Sequence, residues 1–330
     1  MGGELNYLGY SKSVRGKSHD ISGLPCQDYS GHLTRKGYSI SVVSDGHGST
    51  RHFRSDIGSK LAVEGTICIL DGCMSDGCFL EALFNDPNAI LHRICNAIIA
   101  GWTSSVQEYD SQNPLTSEEQ SYVDEHLIDV SDVLKRYGTT LVAGIISKDV
   151  IFGIQIGDGE LILINDSNEA LSPIPEDDDC FLNHTSSLCG NDASDKMRSF
   201  SLFNGRFSSI SPNFIHIDAN PNIVKSLIVC TDGLATSFTS KESFYHYCTV
   251  ASEVVLCRGG ISELESNLLL RSKSNMEDDV SISMSLSKYH FKDIIEKERI
   301  LSINEGIKRK NKKLKRRKRK HTLRRTFRRR

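Results

Sequence analysis

The sequence predicts an α+β fold, and three observations carry that prediction. Short β-branched runs recur at Tyr38–Val43, Thr140–Ile146, Val150–Ile156, Leu161–Ile164 and Ser226–Cys230. Ile90, Ile94, Ile98 and Trp102 repeat every four residues, which is the apolar stripe of an amphipathic helix. Val280, Ile282, Met284 and Leu286 alternate with Ser281, Ser283 and Ser285, the pattern of a half-buried strand.

Taken in order, the chain opens with a strand over 5–10. A polar, turn-rich segment follows from Ser18 to Asp28, and then the strand at 38–44. Ile57, Leu61 and Cys68 give near-helical spacing over 55–70. Asp86-Pro87 reads as an N-cap and first-turn proline, and starts the helix that carries Trp102. Residues 110–135 are polar and acidic, a surface connection with some helix. The runs at 140–146, 150–156 and 161–164, separated by Lys148-Asp149 and Gly157-Asp158-Gly159, read as a meander. Residues 166–213 look like a long loop containing the acidic run 176–179, the composition of a functional loop or lid. A helical stretch over 240–270 precedes the last strand, and a charged helix is expected over 291–307.

Composition narrows the function classes. An apolar fraction of 38% supports a buried core and excludes a disordered chain. No apolar run approaches bilayer length, and the N-terminus has neither a signal stretch nor a myristoylation pattern, so a cytoplasmic location is expected. The ten cysteines form no Cys-x-x-Cys pair, and Cys73 and Cys78 fall in a Gly-rich turn. They read as reduced thiols, mostly small core residues, and their spacing is wrong for zinc. Of the 40 Lys and Arg, 16 fall in residues 308–330, which contain no acid. That leaves 24 bases against 42 acids in 1–307, so a body of about −18 carries a tail of about +16.

The chemistry gathers where strands end. Ser44-Asp45-Gly46-His47-Gly48 follows the strand at 38–43, and by itself reads equally as an ordinary turn or as a metal corner with a proton donor beside it. Asp28, Asp158, Asp232 and Asp278 or Asp279 also stand at strand edges. Carboxylates collected at one end of a sheet repel one another and are costly to desolvate. A divalent cation relieves both costs, and oxygen ligands select Mg²⁺, Mn²⁺ or Ca²⁺ over zinc.

The order of six motifs resembles the PPM/PP2C family of metal-dependent serine/threonine protein phosphatases, most of all a bacterial branch, over residues 7–287. They are Gln27-Asp28, Ser44-Asp45-Gly46-His47-Gly48, Gly138-Thr139-Thr140-Leu141, Gly157-Asp158-Gly159, Thr231-Asp232-Gly233 and Asp278-Asp279-Val280-Ser281. The resemblance implies a four-layer α-β-β-α sandwich, two antiparallel sheets flanked by helices, with two Mn²⁺ or Mg²⁺ ions between the sheets. By that resemblance Asp45 bridges both ions, Gly46 offers its carbonyl, Asp232 and Asp278 ligate one ion, and Asp28 holds metal-bound water. Asp158 is a weaker ligand, and His47 is the general acid. It further implies a phosphoprotein substrate hydrolysed by a water that bridges the two ions. Three positions depart from the family pattern. Gln27 replaces a Glu, Gly23 replaces a phosphate-binding Arg, and Thr236 replaces an acid of a third metal site. His19, Arg15 and Lys17 are the candidates to replace that arginine, with His19 named as the phosphate-binding residue.

The expected organisation is a monomeric phosphatase-like domain at 1–290, a helical linker at 291–307 and a disordered polybasic tail at 308–330. Such charge density attracts a polyanion, whether nucleic acid, acidic lipid or an acidic protein. A second function class stands beside the enzyme: a phosphatase-like binding module with impaired chemistry that acts through its tail.

Overall fold

Side-chain alternation along the strands decides the layering. The computed structural model describes residues 6–175, 185–203, 206–209, 224–273 and 278–301. The first half runs β1 (Tyr7–Val14), α1 (Lys17–Ser22), β2 (Tyr29–Thr34), β3 (Tyr38–Ser44), a 3₁₀ turn at Thr50–His52, α2 (Ser55–Ser75), α3 (Phe79–Asn85) and α4 (Pro87–Gln112). Next come α5 (Ser117–His126), α6 (Val133–Arg136), β4 (Leu141–Ser147), β5 (Val150–Ile156), β6 (Glu160–Asn165), β7 (Ala170–Leu171), α7 (Ala193–Lys196), β8 (Arg198–Phe203) and β9 (Arg206–Ser209). The chain closes with β10 (Val224–Cys230), α8 (Asp232–Ala235), α9 (Lys241–Val254), α10 (Gly260–Ser272) and β11 (Val280–Ser287), and residues 292–301 are helical.

Two antiparallel sheets stack face to face. One has the order β1-β11-β10-β6-β7, the other β2-β3-β4-β5-β8-β9. One face of the six-stranded sheet packs Ile40, Val42, Ala143 and Ile145 against α2, α3 and α4, including Trp102. The outer face of the five-stranded sheet packs Ile228, Ile282 and Met284 against Phe244, Leu264 and Leu268 of α9 and α10. Val43, Val142, Leu161, Leu227 and Val229 fill the space between the sheets. The result is the four-layer α-β-β-α sandwich. Asp86 caps α4 as expected, its Oδ1 accepting the Ala89 N–H at 3.1 Å.

Six sequence expectations are corrected. First, the meander breaks after β5. β4 pairs with β5, but β6 crosses to the other sheet and pairs with β10. Gly157 makes the crossing at φ 96°, where a Cβ would stand 2.6 Å from Thr140 Cγ2. Second, β11 is buried on both faces. Its serines face the other sheet and are matched by hydroxyls and a carbonyl: Ser285 with Ser41 and Ser39, and Ser283 with the Gly31 carbonyl, each at 2.8 Å. Third, the stretch 166–213 contains β8, whose Ser199-Phe200-Ser201-Leu202 alternation also faces two buried environments, and it contains β9. The acidic run 176–179 lies outside the described residues, as does the tail 308–330. Fourth, the polar segment before Asp28 hides the short helix α1, and β2 follows it. Fifth, the helical stretch 240–270 is two helices, parted at Gly259 with φ 80°. Sixth, Cys73 lies inside α2 rather than in a turn, and the nine cysteines among the described residues are all free.

Candidate active site

Strand ends from both sheets meet at one edge of the sandwich. β3 delivers Asp45 there, and the backbone at 45–47 is held from two directions. The Asp45 N–H donates to Thr140 Oγ1 at 3.1 Å. Its carbonyl accepts from the Thr140 N–H at 2.9 Å and from Thr139 Oγ1 at 2.7 Å. The Gly46 N–H donates to the Gln27 carbonyl and the His47 N–H to the Gly138 carbonyl, at 3.1 and 3.0 Å. A Cβ on residue 46 would lie 2.6 Å from the Gln27 carbonyl oxygen and 2.7 Å from that of Ser55, so only glycine fits. Gly138-Thr139-Thr140 thus acts as the clamp on the Asp45 turn. The sequence reading matched that motif without assigning it a role.

The other acids arrive from the second sheet and from the 23–28 segment. Asp28 is buried, and its Oδ2 accepts from Thr231 Oγ1 at 2.7 Å. Asp232 opens α8 directly after β10. Gly233 lets that turn lie against the 278–279 backbone, since a Cβ would meet the Asp279 carbonyl at 2.1 Å. Asp278 Oδ1 accepts the Asp279 N–H at 2.8 Å, and Asp158 Oδ2 accepts from Thr185 Oγ1 at 2.9 Å.

Electrostatics shows that these carboxylates feel one another. Burial pushes Asp28 and Asp45 well above the ordinary carboxylate range. The negative charges of Asp279 on Asp28, and of Asp28 and Asp232 on Asp45, add to that. Burial raises Asp232 to about 6, with Asp158 and Asp278 adding repulsion, although its contact with Asp45 acts the other way. Asp278 is raised as well, mainly by burial. Asp232 Oδ1 is buried without a hydrogen-bond partner. Among the described residues no three Asp, Glu, His or Cys side chains form a ready-made metal cluster. An oxygen-only donor set with one orphaned buried carboxylate oxygen still fits a hard divalent ion, because Mg²⁺-type ions take one or two carboxylates and keep water in the remaining positions.

His47 packs its ring 5.0 Å from that of His52. Burial, and then the neighbouring His52, push it down to about 4, so the imidazole is neutral near pH 7 in the free protein.

His19 stands beside the acids, within electrostatic reach of Asp278. Its Nδ1 sits 3.0 Å from Asp279 Oδ1, and its pKa is raised chiefly by that contact. Arg15 donates to the His19 carbonyl at 2.6 Å. Gly23 caps α1 at φ 77°, a conformation in which an arginine would be strained. Gln27 is buried and donates from Nε2 to Ser55 Oγ at 2.8 Å, a bond a carboxylate could not donate. Thr236 is turned back onto the Asp232 carbonyl, with both its N–H and its Oγ1 at 2.8 Å. The residue the sequence reading undervalued is Asp279. It is buried, and it accepts the N–H groups of Gly16 and Gln27 at 2.6 Å each. Its position next to Asp278 gave no sign that the two acids divide the work.

The sequence profile of protein phosphatase 2C matches residues 15–268. The chain belongs to the protein phosphatase 2C family. Among solved structures, a bacterial serine phosphatase shares 15% identity at a TM-score of 0.50, covering 84% of this chain and 97% of its own. A bacterial serine phosphatase bearing a single arginine-to-alanine mutation gives 15% and 0.50, covering 87% and 100%. The catalytic domain of the serine/threonine phosphatase PstP in complex with two manganese ions gives 16% and 0.49, covering 85% and 97%. No curated protein matches the chain significantly.

Proposed function

We propose that this chain is a Mn²⁺- or Mg²⁺-dependent protein serine/threonine phosphatase. The observation that supports the reading is that burial and mutual repulsion raise Asp28, Asp45, Asp232 and Asp278, while Asp232 Oδ1 is buried without a partner. Folding four such carboxylates together without a counter-charge is costly, and a divalent cation offsets that cost.

In this reading Asp45, the Gly46 carbonyl, Asp232 and Asp278 hold two ions, with Asp158 a weaker ligand and Asp28 holding water at the site. When bound, the ions supply an acidified water and neutralise charge on the phosphoryl oxygens. The protein's own residues do the rest. The Thr139-Thr140 clamp fixes the Asp45 backbone, which limits the reorganisation needed on substrate binding. His47 gives a proton to the departing seryl or threonyl oxygen. A dianionic phosphate beside the ring raises its pKa from the low value of the free protein and makes that donation accessible. His19, held against Asp279 next to Asp278, stays the residue proposed to bind the phosphate.

Hydrolysis of p-nitrophenyl phosphate and a phosphopeptide, with and without Mn²⁺, tests the reading beside Asp45→Ala and Asp232→Ala. Activity that requires the metal and both acids supports it. Equal rates in wild type and both variants would favour the second reading, a binding module with impaired chemistry, for which the replacements at Gln27 and Gly23 speak.

The domain reading stands with it as a proposal: a monomeric catalytic domain over 1–290, a helical linker to 307 and a basic tail that takes a polyanion. So does a cytoplasmic location. Among the described residues no helix is long and apolar enough to cross a membrane.

A further inference from the structure

A cleft of about 730 Å³ opens beside His47 and shares no wall residue with the groove of about 350 Å³ that holds Asp158 and Asp232. Its walls include Arg51, Lys135 and Lys196, and among the described residues Asp192 is the one acid that lines it. On a body of about −18, a cationic wall beside an acid-lined site runs against the charge trend of the chain.

The fold holds the backbone that carries Arg51 and Lys135 in place. Arg51 sits in the 3₁₀ turn Thr50–His52, exposed, with no ion-pair partner among the described residues. His52 Nδ1 donates to the Lys135 carbonyl, and the Arg54 N–H donates to the Arg136 carbonyl at 2.9 Å, which stitches the turn to α6. The Lys135 ammonium pairs with Asp132 at 3.3 Å, but the two side chains are 50% and 37% exposed, so the pair opens readily. Ser49, Ser186 and Ser187 line the same cleft.

Building on the phosphatase reading, we propose that this cleft reads the residues flanking the phosphoserine or phosphothreonine. It selects phosphopeptides that carry further anionic groups, carboxylates or a second phosphate, within reach of Arg51. His47 forms one wall of the cleft, so a substrate whose leaving oxygen lies at His47 runs its neighbouring residues past Arg51 and Lys135. Specificity then comes from charge complementarity outside the reacting centre.

The test compares kcat/KM of the full-length protein with Mn²⁺ on three phosphopeptides that share one phosphoresidue. One has neutral flanks, one acidic flanks, and one a second phosphate. A fourth peptide has basic flanks, and p-nitrophenyl phosphate, which has no flanks, checks turnover itself. Wild type is expected to favour the acidic over the neutral peptide by about three- to tenfold, mostly through KM. The doubly phosphorylated peptide shows whether a phosphate serves better than a carboxylate. Arg51→Gln brings the ratio toward one, and Arg51→Glu reverses it in favour of the basic peptide, an inversion that a structural defect would not produce.

An unchanged ratio in both variants, or no preference in wild type, would overturn the assignment. Should p-nitrophenyl phosphate not be turned over, the phosphatase reading fails instead. Fluorescence anisotropy of the labelled acidic peptide against wild type and Arg51→Glu then decides the cleft: weaker binding by the variant upholds it, and equal binding overturns it.

Discussion

Asp279 accepts the backbone N–H of Gln27 at 2.6 Å, joining residues 252 positions apart. The same carboxylate takes the Gly16 N–H at 2.6 Å and the His19 ring at 3.0 Å, so one buried acid anchors the whole segment that delivers Asp28.

Removing that anchor leaves the buried N–H groups of Gly16 and Gln27, and the longer one of Asp28 at 3.4 Å, without this acceptor. Asp279→Ala is expected to cost about 3 kcal/mol or more, and Asp279→Asn less, since the amide keeps one acceptor oxygen. Burial alone would raise the Asp279 carboxyl, but His19 and the N–H groups of Gly16 and Gln27 outweigh it and hold it below its ordinary 3.8. His19 is raised above 6.5. The Asp279 contribution is therefore present above pH 3.8 and lost as pH falls below it. The His19 contribution is complete below pH 6.5 and lost as pH rises through its raised folded value. Urea unfolding at pH 5.5 and pH 8.5 should show the larger Asp279→Ala penalty at pH 5.5. An equal penalty at both would remove His19 from the account.

A second stability prediction concerns Arg54, which is buried behind the clamp. It forks onto Glu119 at 2.7 and 2.8 Å and donates to Tyr137 Oη at 2.7 Å. Arg54→Ala strands these partners and is expected to cost about 3–5 kcal/mol. The Arg54 hydrogen bond holds Glu119 at about 2, below its ordinary 4.5. The stabilisation is thus complete above pH 4.5 and fades as pH falls toward 2. The stability gap between wild type and Glu119→Gln, followed by chemical denaturation, should narrow over that interval. A gap independent of pH would mean the carboxylate charge is not what matters.

Metal binding should show itself in stability as well as in activity. The Asp232 pKa is raised to about 6 from 3.8, so the unfolded chain loses this proton at lower pH than the folded one. Without metal, the fold is therefore weakened as pH rises from 3.8 to 6, and the penalty is fully in place at pH 7. A cation removes that penalty. The Tm increase produced by Mn²⁺ should be clear at pH 7 and small at pH 4, and Asp232→Asn should abolish most of it. A shift of equal size at both pH values would place the metal elsewhere.

Proton donation by His47 predicts a dependence on the leaving group. His47→Asn should lower phosphopeptide turnover by about 10²–10⁴-fold, because an alkoxide leaves poorly without a proton. p-Nitrophenyl phosphate, whose phenolate leaves unaided, should lose far less. Equal losses on both substrates would assign His47 a positioning role.

Much of this was legible in the chain itself. The stripe from Ile90 to Trp102, the cap at Asp86 and the strands at 38–44 and 226–230 follow from local spacing, and the structure keeps them. The acids at strand ends were legible for the same reason, since a buried apolar run must stop where a carboxylate stands. β8 was hidden because its serines point into a buried face, and serine in a row of polar residues looks like loop.

The sequence by itself determined the elements, the motif order and the set of acids, because helical and strand periodicities are written in consecutive residues. Only the tertiary structure decided that β6 leaves its neighbour for the other sheet, and that the serines of β11 are buried against Ser39 and Ser41. It also decided that Asp279 holds backbone while Asp278 stands at the site, and that Arg51 and Lys135 share a cleft with His47. Each of these depends on which distant surfaces bury each other, and burial between residues some 60 to 250 positions apart leaves no periodic trace in either partner.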